Sequence, residues 1–102
     1  MKGIFLNRDK VMTELKKSAE DIKSRFPSVK GIYLFGSLVR GDYHGLCDAD
    51  IIVVFKGAPD PDTQSEIRLI LARNLSIGFD LILMSSKTFR DRAHLYEPIV
   101  SL

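Results

Sequence analysis

Asp50-Ile51-Ile52-Val53-Val54-Phe55 is the most hydrophobic run in a sequence of 102 residues. Its β-branched content, with the turn-marking Gly57 and Pro59 behind it, predicts a central strand. The entrance to that strand carries acid: Asp48 and Asp50 flank Ala49. Side chains alternate across a strand, so both carboxylates project from one face, with α-carbons roughly 7 Å apart at ~3.3 Å per residue.

Upstream, Asp9 to Phe26 places Val11, Leu15, Ala19, Ile22 and Phe26 at helical spacing, with Lys, Glu and Asp filling the other face. This predicts an amphipathic helix ended by Pro27 and Ser28, followed by a short buried strand over Gly31-Ile32-Tyr33-Leu34-Phe35. Gly36-Ser37 closes that strand. The segment through Gly41, Asp42, His44 and Gly45 is too polar and Gly-rich for a strand or a long helix and reads as a turn or loop. At roughly a dozen residues it is near the length a parallel crossover needs, so spacing leaves the relative direction of the two strands open.

Downstream, Thr63-Gln64-Ser65-Glu66 matches a capping box, and Ile67, Ile70, Leu71 and Leu75 form the buried stripe of a second helix. Gly78 punctuates. Phe79-Asp80-Leu81-Ile82-Leu83-Met84 reads as a third apolar strand interrupted by one carboxylate, and Ser86 is placed to cap a last short helix to about His94. The order helix, strand, strand, helix, strand, helix predicts one α/β (α+β) domain over residues 1–102, a small mixed β-sheet with helices packed on it in two or three layers.

Two anions crowded at the entrance of an apolar strand repel each other and lose hydration, which raises at least one pKa unless a cation intervenes. Magnesium suits the pair, because it takes oxygen ligands and is usually held by one or two carboxylates plus substrate phosphates. If the third strand lies beside the second, Asp80 joins the cluster, and three acids suffice for a two-metal site. One ion there would activate an attacking hydroxyl and the other would stabilise a departing pyrophosphate, with Asp80 as general base or as a further ligand on the nucleophile side. Gly36 lets backbone approach a phosphate without a β-carbon in the way, and the Ser37 hydroxyl can donate to a phosphate oxygen. Arg40 offers a fork-shaped cation to the leaving group, or equally a surface charge paired with Asp42. Cys47, beside the acids, has no evident base partner and reads as small-residue packing. His44 reads as a loop residue near the site mouth and His94 as structural or exposed.

Gly36-Ser37, ten intervening residues, then Asp48-Ala49-Asp50 resembles the signature of the DNA polymerase β-like nucleotidyltransferase superfamily. From average residue usage the pattern arises by chance in a chain of this length on the order of once in a thousand. Gly36-Ser37-Leu38-Val39-Arg40-Gly41 further resembles the minimal nucleotidyltransferases (MNT group), often encoded beside HEPN-domain partners as antitoxins. Val39 stands where that group usually has Ala, and Cys47 where Ser commonly precedes the first acid. The resemblance implies a polymerase β-like palm fold and transfer of a nucleotide, AMP from ATP, to a hydroxyl. It implies Asp48 and Asp50 on magnesium, Asp80 as third carboxylate, and a HEPN-type protein as partner and acceptor. A module that keeps the fold but only occludes a toxin is the alternative. A sugar-nucleotide metal site is disfavoured by the short chain, and an aminoglycoside acceptor by the lack of an added helical domain.

Composition narrows the classes further. A net charge of +2 and a pI near 8.8 fall short of the clustered positive field of a nucleic-acid binder, so nucleic acid is not indicated as main partner. A single cysteine forms no internal disulfide, and the N-terminal Met1-Lys2-Gly3-Ile4-Phe5-Leu6 meets polar residues too early for a signal core. No stretch approaches the ~20 apolar residues of a membrane span. A cytoplasmic protein is expected, with homodimerisation one way to cover exposed sheet edge.

Overall fold

Helix α1 (Arg8–Arg25) lays its apolar stripe across strand β1 (Val29–Phe35), and a short helix α2 (Ser37–Arg40) follows β1 directly. Strand β2 (Ala49–Phe55), helix α3 (Pro61–Asn74) and strand β3 (Phe79–Ser85) come next. Helix α4 (Ser86–Arg92), a 3₁₀ turn (Ala93–Leu95) and the two-residue strand β4 (Val100–Ser101) complete the chain. The computed structural model describes residues 8–41 and 48–102; Met1–Leu6, Asp42, His44 and Cys47, read above, lie outside them. No helix among the described residues is long and apolar enough to cross a membrane.

The sheet runs β3-β2-β1-β4 and is mixed: β1 pairs antiparallel with β2 and β4, whereas β2 and β3 are parallel. The direction that spacing left open between the first two strands is therefore antiparallel. Because β2 and β3 run the same way, α3 supplies the crossover between them, the usual solution for a parallel pair.

Odd positions of β2 (Ala49, Ile51, Val53, Phe55) are buried in one core with Val11, Leu15, Ala19 and Ile22 of α1 and Ile67, Ile70, Leu71 and Leu75 from α3 and its C-terminal cap. Even positions Ile52 and Val54 face the other way, where a smaller cluster gathers Met84, Ile82, Tyr33, Phe35, Phe89 and Tyr96. Thus α1 and α3 cover one face of the sheet, and α4 with the 3₁₀ turn covers part of the other. Glu14 ties the layers together: its carboxylate accepts from the Ser76 N–H and from the Ser76 hydroxyl, both at 2.9 Å, which fixes α1 to the chain entering β3.

Two helix caps lie earlier than the sequence reading, by three residues for α3 and by one for α4. The α3 cap is Asp60, whose carboxylate accepts from the Thr63 N–H at 2.8 Å and the Thr63 hydroxyl at 2.9 Å, with Pro61 in the first turn. A carboxylate placed before proline satisfies the free N–H groups earlier than a Thr63–Glu66 box can. Likewise Ser85, not Ser86, caps α4 by accepting from the Thr88 N–H at 3.2 Å, because the hydroxyl must sit three residues before its donor. Asp60→Ala is expected to lower the urea midpoint of unfolding while Asp60→Ser retains most of it; equal midpoints for the two variants would remove the cap from this description.

Candidate functional site

Strand register places the three acids. Asp50 is the in-register partner of Asp80 across the parallel β2–β3 pair, and of Phe35 across the antiparallel β1–β2 pair. Neighbouring residues in register point to the same side of a sheet, so Asp50 and Asp80 share the face opposite α1 and α3. Asp48, two residues before Asp50, lies on that side as well. The fully buried Ala49, Ile51 and Val53 hold this orientation, since a one-residue slip would drive Asp50 into the core.

The β1 end reaches the same place. Gly36 follows Phe35 with φ 84° and ψ −155°, a combination essentially restricted to glycine. A β-carbon there would run into the Asp50 Oδ2 atom, so the Asp50 carboxylate lies directly against the Gly36 backbone. The turn beyond is tied down: the Gly36 carbonyl accepts from the Val39 and Arg40 N–H groups, each at 3.1 Å, and Gly41 donates to the Ser37 carbonyl at 2.9 Å. Leu38 anchors it in the core, and its carbonyl accepts from the Arg8 Nε at 3.1 Å. The stretch read only as turn or loop thus contains a short helix over Ser37–Arg40.

Gly78 repeats the arrangement on the β3 side. A β-carbon at Gly78 would lie 2.7 Å from Asp48 Oδ1, and the Gly78 carbonyl accepts from the Ala49 N–H at 3.0 Å. Asp48 therefore rests over Gly78 as Asp50 rests against Gly36. The sequence reading treated Gly78 only as punctuation and passed over Arg8; a glycine two residues before an acid-bearing strand position was the available signal for the first.

Electrostatics follow from this packing. Partial burial, then the negative charges of Asp80 and Asp48, push the Asp50 carboxyl above its ordinary range, while the Arg40 guanidinium pulls it back. Asp48, Asp80 and Arg40 are exposed, and Ser37 is half-buried beside Gly36. All six residues singled out from sequence sit around one end of one sheet face. Among the described residues, however, no three His, Cys, Asp or Glu side chains converge closely enough to hold a metal ion. The carboxylates share an edge and feel one another's charge without their oxygens forming one coordination sphere. As a donor set, three carboxylates around a charge-strained Asp50 fit a hard, oxygen-seeking divalent cation.

The nucleotidyltransferase domain family matches residues 15–98. A candidate protein adenylyltransferase of Methanocaldococcus jannaschii is 33% identical over 86 residues, covering 84% of this chain and 99% of that protein. A candidate nucleotidyltransferase of Sulfolobus solfataricus superposes with a TM-score of 0.66 at 28% identity, covering 92% of this chain and 80% of that one. A chain of the complex between a tri-AMPylated Shewanella oneidensis HEPN toxin and its MNT antitoxin superposes with a TM-score of 0.51 at 26% identity, over 74% of this chain and 55% of that one. With the Gly36 turn and the acid-bearing strand ends assembled on a mixed four-stranded sheet, the chain belongs to the nucleotidyltransferase domain family.

Proposed function

We propose that this nucleotidyltransferase moves AMP from ATP to a hydroxyl group on a HEPN-type partner protein, acting as the antitoxin of the pair. The observation that carries the reading is the Asp50 carboxylate against the Gly36 backbone, with Asp80 in register beside it and Asp48 over Gly78, at one end of one sheet face. The AMPylated HEPN toxin in the superposed Shewanella complex, and the adenylyltransferase name of the Methanocaldococcus relative, support AMP and a protein acceptor.

In this scheme the space of the missing Gly36 β-carbon is taken by the Asp50 carboxylate and not by a phosphate, and the triphosphate lies along the turn beyond, where the Ser37 hydroxyl donates to a phosphate oxygen. Arg40, beside the acids, faces the charge that accumulates on the departing pyrophosphate. The acceptor oxygen forms a bond to the α-phosphorus as the bond to the bridging oxygen of pyrophosphate breaks, and the hydroxyl proton passes to the exposed Asp80 carboxylate. Asp48, Asp50 and Asp80 are the residues that would hold magnesium, as one ion or two, which when bound lowers the pKa of the hydroxyl and neutralises charge on the phosphates.

Incubation with α-labelled ATP and a HEPN-type partner is expected to label the partner and release pyrophosphate, and Asp80→Asn is expected to abolish the label. ATP binding without any transfer would contradict the catalytic reading and favour simple occlusion of the toxin. Gly78→Ala provides a milder case, because the new methyl group meets only the end of the Asp48 side chain. It is expected to leave the unfolding midpoint near wild type while displacing Asp48, slowing transfer by about tenfold or more. Full activity in that variant would show that the position of Asp48 against Gly78 has no bearing on the reaction.

A further inference from the structure

We propose that Phe35 and Tyr96 form the platform on which the nucleobase of the bound triphosphate stacks, an inference that rests on the triphosphate reading above. Phe35 is the in-register partner of Asp50, so its α-carbon lies one antiparallel pair away, roughly 4.5–5.5 Å, with its ring on the same face as the acids. Its ring meets that of Tyr96 edge-on, with centroids 5.0 Å apart and planes at 65°. Both residues are half-buried.

Among the described residues, the surroundings of Asp50 give a base one suitable place to rest. On the β3 side the in-register neighbour is the exposed, charged Asp80; along β2 the next residue on this face is Ile52, already buried in the smaller cluster. Among the described residues, the β1 side alone presents aromatic surface. Tyr96 is held there from two directions. Before it, the 3₁₀ turn accepts its N–H at the Ala93 carbonyl, 3.0 Å away; after it, β4 pairs Val100 with Leu34 of β1. Farther down the same face, Tyr33 stacks on Phe89 with centroids 4.6 Å apart, which props α4 against the sheet and fixes the approach to Tyr96.

Such a pair reads a base by its π-face and not by hydrogen bonds, so it takes purines more strongly than pyrimidines through their larger ring area. It assigns the base end of the nucleotide to the β1–β4 edge and leaves the β3 side of the acids for the incoming hydroxyl. Asp80, read above as the proton acceptor, lies on that second side.

Titration calorimetry with magnesium-ATP and with magnesium-tripolyphosphate, which lacks a base, separates the two ideas. The wild-type chain is expected to bind ATP about tenfold more tightly than tripolyphosphate. Tyr96→Leu and Phe35→Leu are expected to lose that difference while holding tripolyphosphate as before, and Tyr96→Phe to keep it. Retained tripolyphosphate binding also reports that each variant has folded. A Tyr96→Leu protein that still distinguishes ATP from tripolyphosphate as wild type does would overturn the platform and leave the triphosphate site standing. A wild-type chain that binds neither ligand would overturn the triphosphate reading, and the platform with it.

Discussion

Gly36→Ala is expected to abolish nucleotide transfer and to destabilise the fold, and the two losses have separable causes. The backbone at residue 36 occupies a conformation that costs a side-chain-bearing residue about 1–3 kcal/mol. In addition, the new β-carbon would collide with the Asp50 carboxylate, which has to turn away from its position against the Gly36 backbone. Displacing a group at the reacting centre by even an ångström slows catalysis by about a hundredfold. Removing the obstructing carboxylate distinguishes the two effects. In a Gly36→Ala/Asp50→Ala protein the collision is gone but the backbone strain remains, so stability measured by urea unfolding is expected to recover partway while activity stays lost. Full recovery of stability would mean that residue 36 tolerates alanine and that the close approach of Asp50 alone demands glycine.

The second large effect concerns the acids themselves. Asp48→Asn with Asp50→Asn is expected to lower transfer by at least about a hundredfold, because the charge that draws a cation to the site is removed. The same change is expected to make the metal-free chain more stable near neutral pH. Asp50 carries a raised pKa, so the folded chain holds that proton more tightly than the unfolded one. Stability from this group is therefore present at low pH and is lost as pH rises from the ordinary value of 3.8 through the higher folded value. Asp60 acts with the opposite sign, its hydrogen bonds to Thr63 lowering its pKa, so its contribution is lost as pH falls. The difference between wild type and Asp50→Asn isolates the first effect: the variant is expected to lose less stability than wild type between acid and neutral pH in chelator. Identical pH profiles would show that repulsion at Asp50 is too weak to matter for folding.

The packing around the acids also explains what could be read from sequence. The β2 run was legible because Ile51 to Phe55 are continuously apolar and buried on both faces of the sheet, and burial of Ile51 and Val53 forces the acids outward. Asp80 was legible only on condition that β3 lies beside β2, and the register Asp50 to Asp80 meets that condition. The direction of β1 relative to β2 was not legible, since the connecting segment is long enough for either. The antiparallel solution brings Gly36 to Asp50, a contact between residues fourteen apart that no local pattern encodes. Gly78 and Arg8 escaped for a related reason: each acts through a neighbour distant in sequence, Asp48 for the first and the Leu38 carbonyl for the second. The strand β4 is only two residues long and gains its pairing from β1 rather than from its own composition, which leaves no periodic signal to find.

Calorimetric titration of ATP shows whether the Gly36 turn and the acids on β2 and β3 form one magnesium-dependent triphosphate site. Binding is expected for the wild-type chain in magnesium, to be absent in chelator, and to be lost in Asp48→Asn/Asp50→Asn. Failure to bind at millimolar ATP, or equal binding by the double variant, would contradict it.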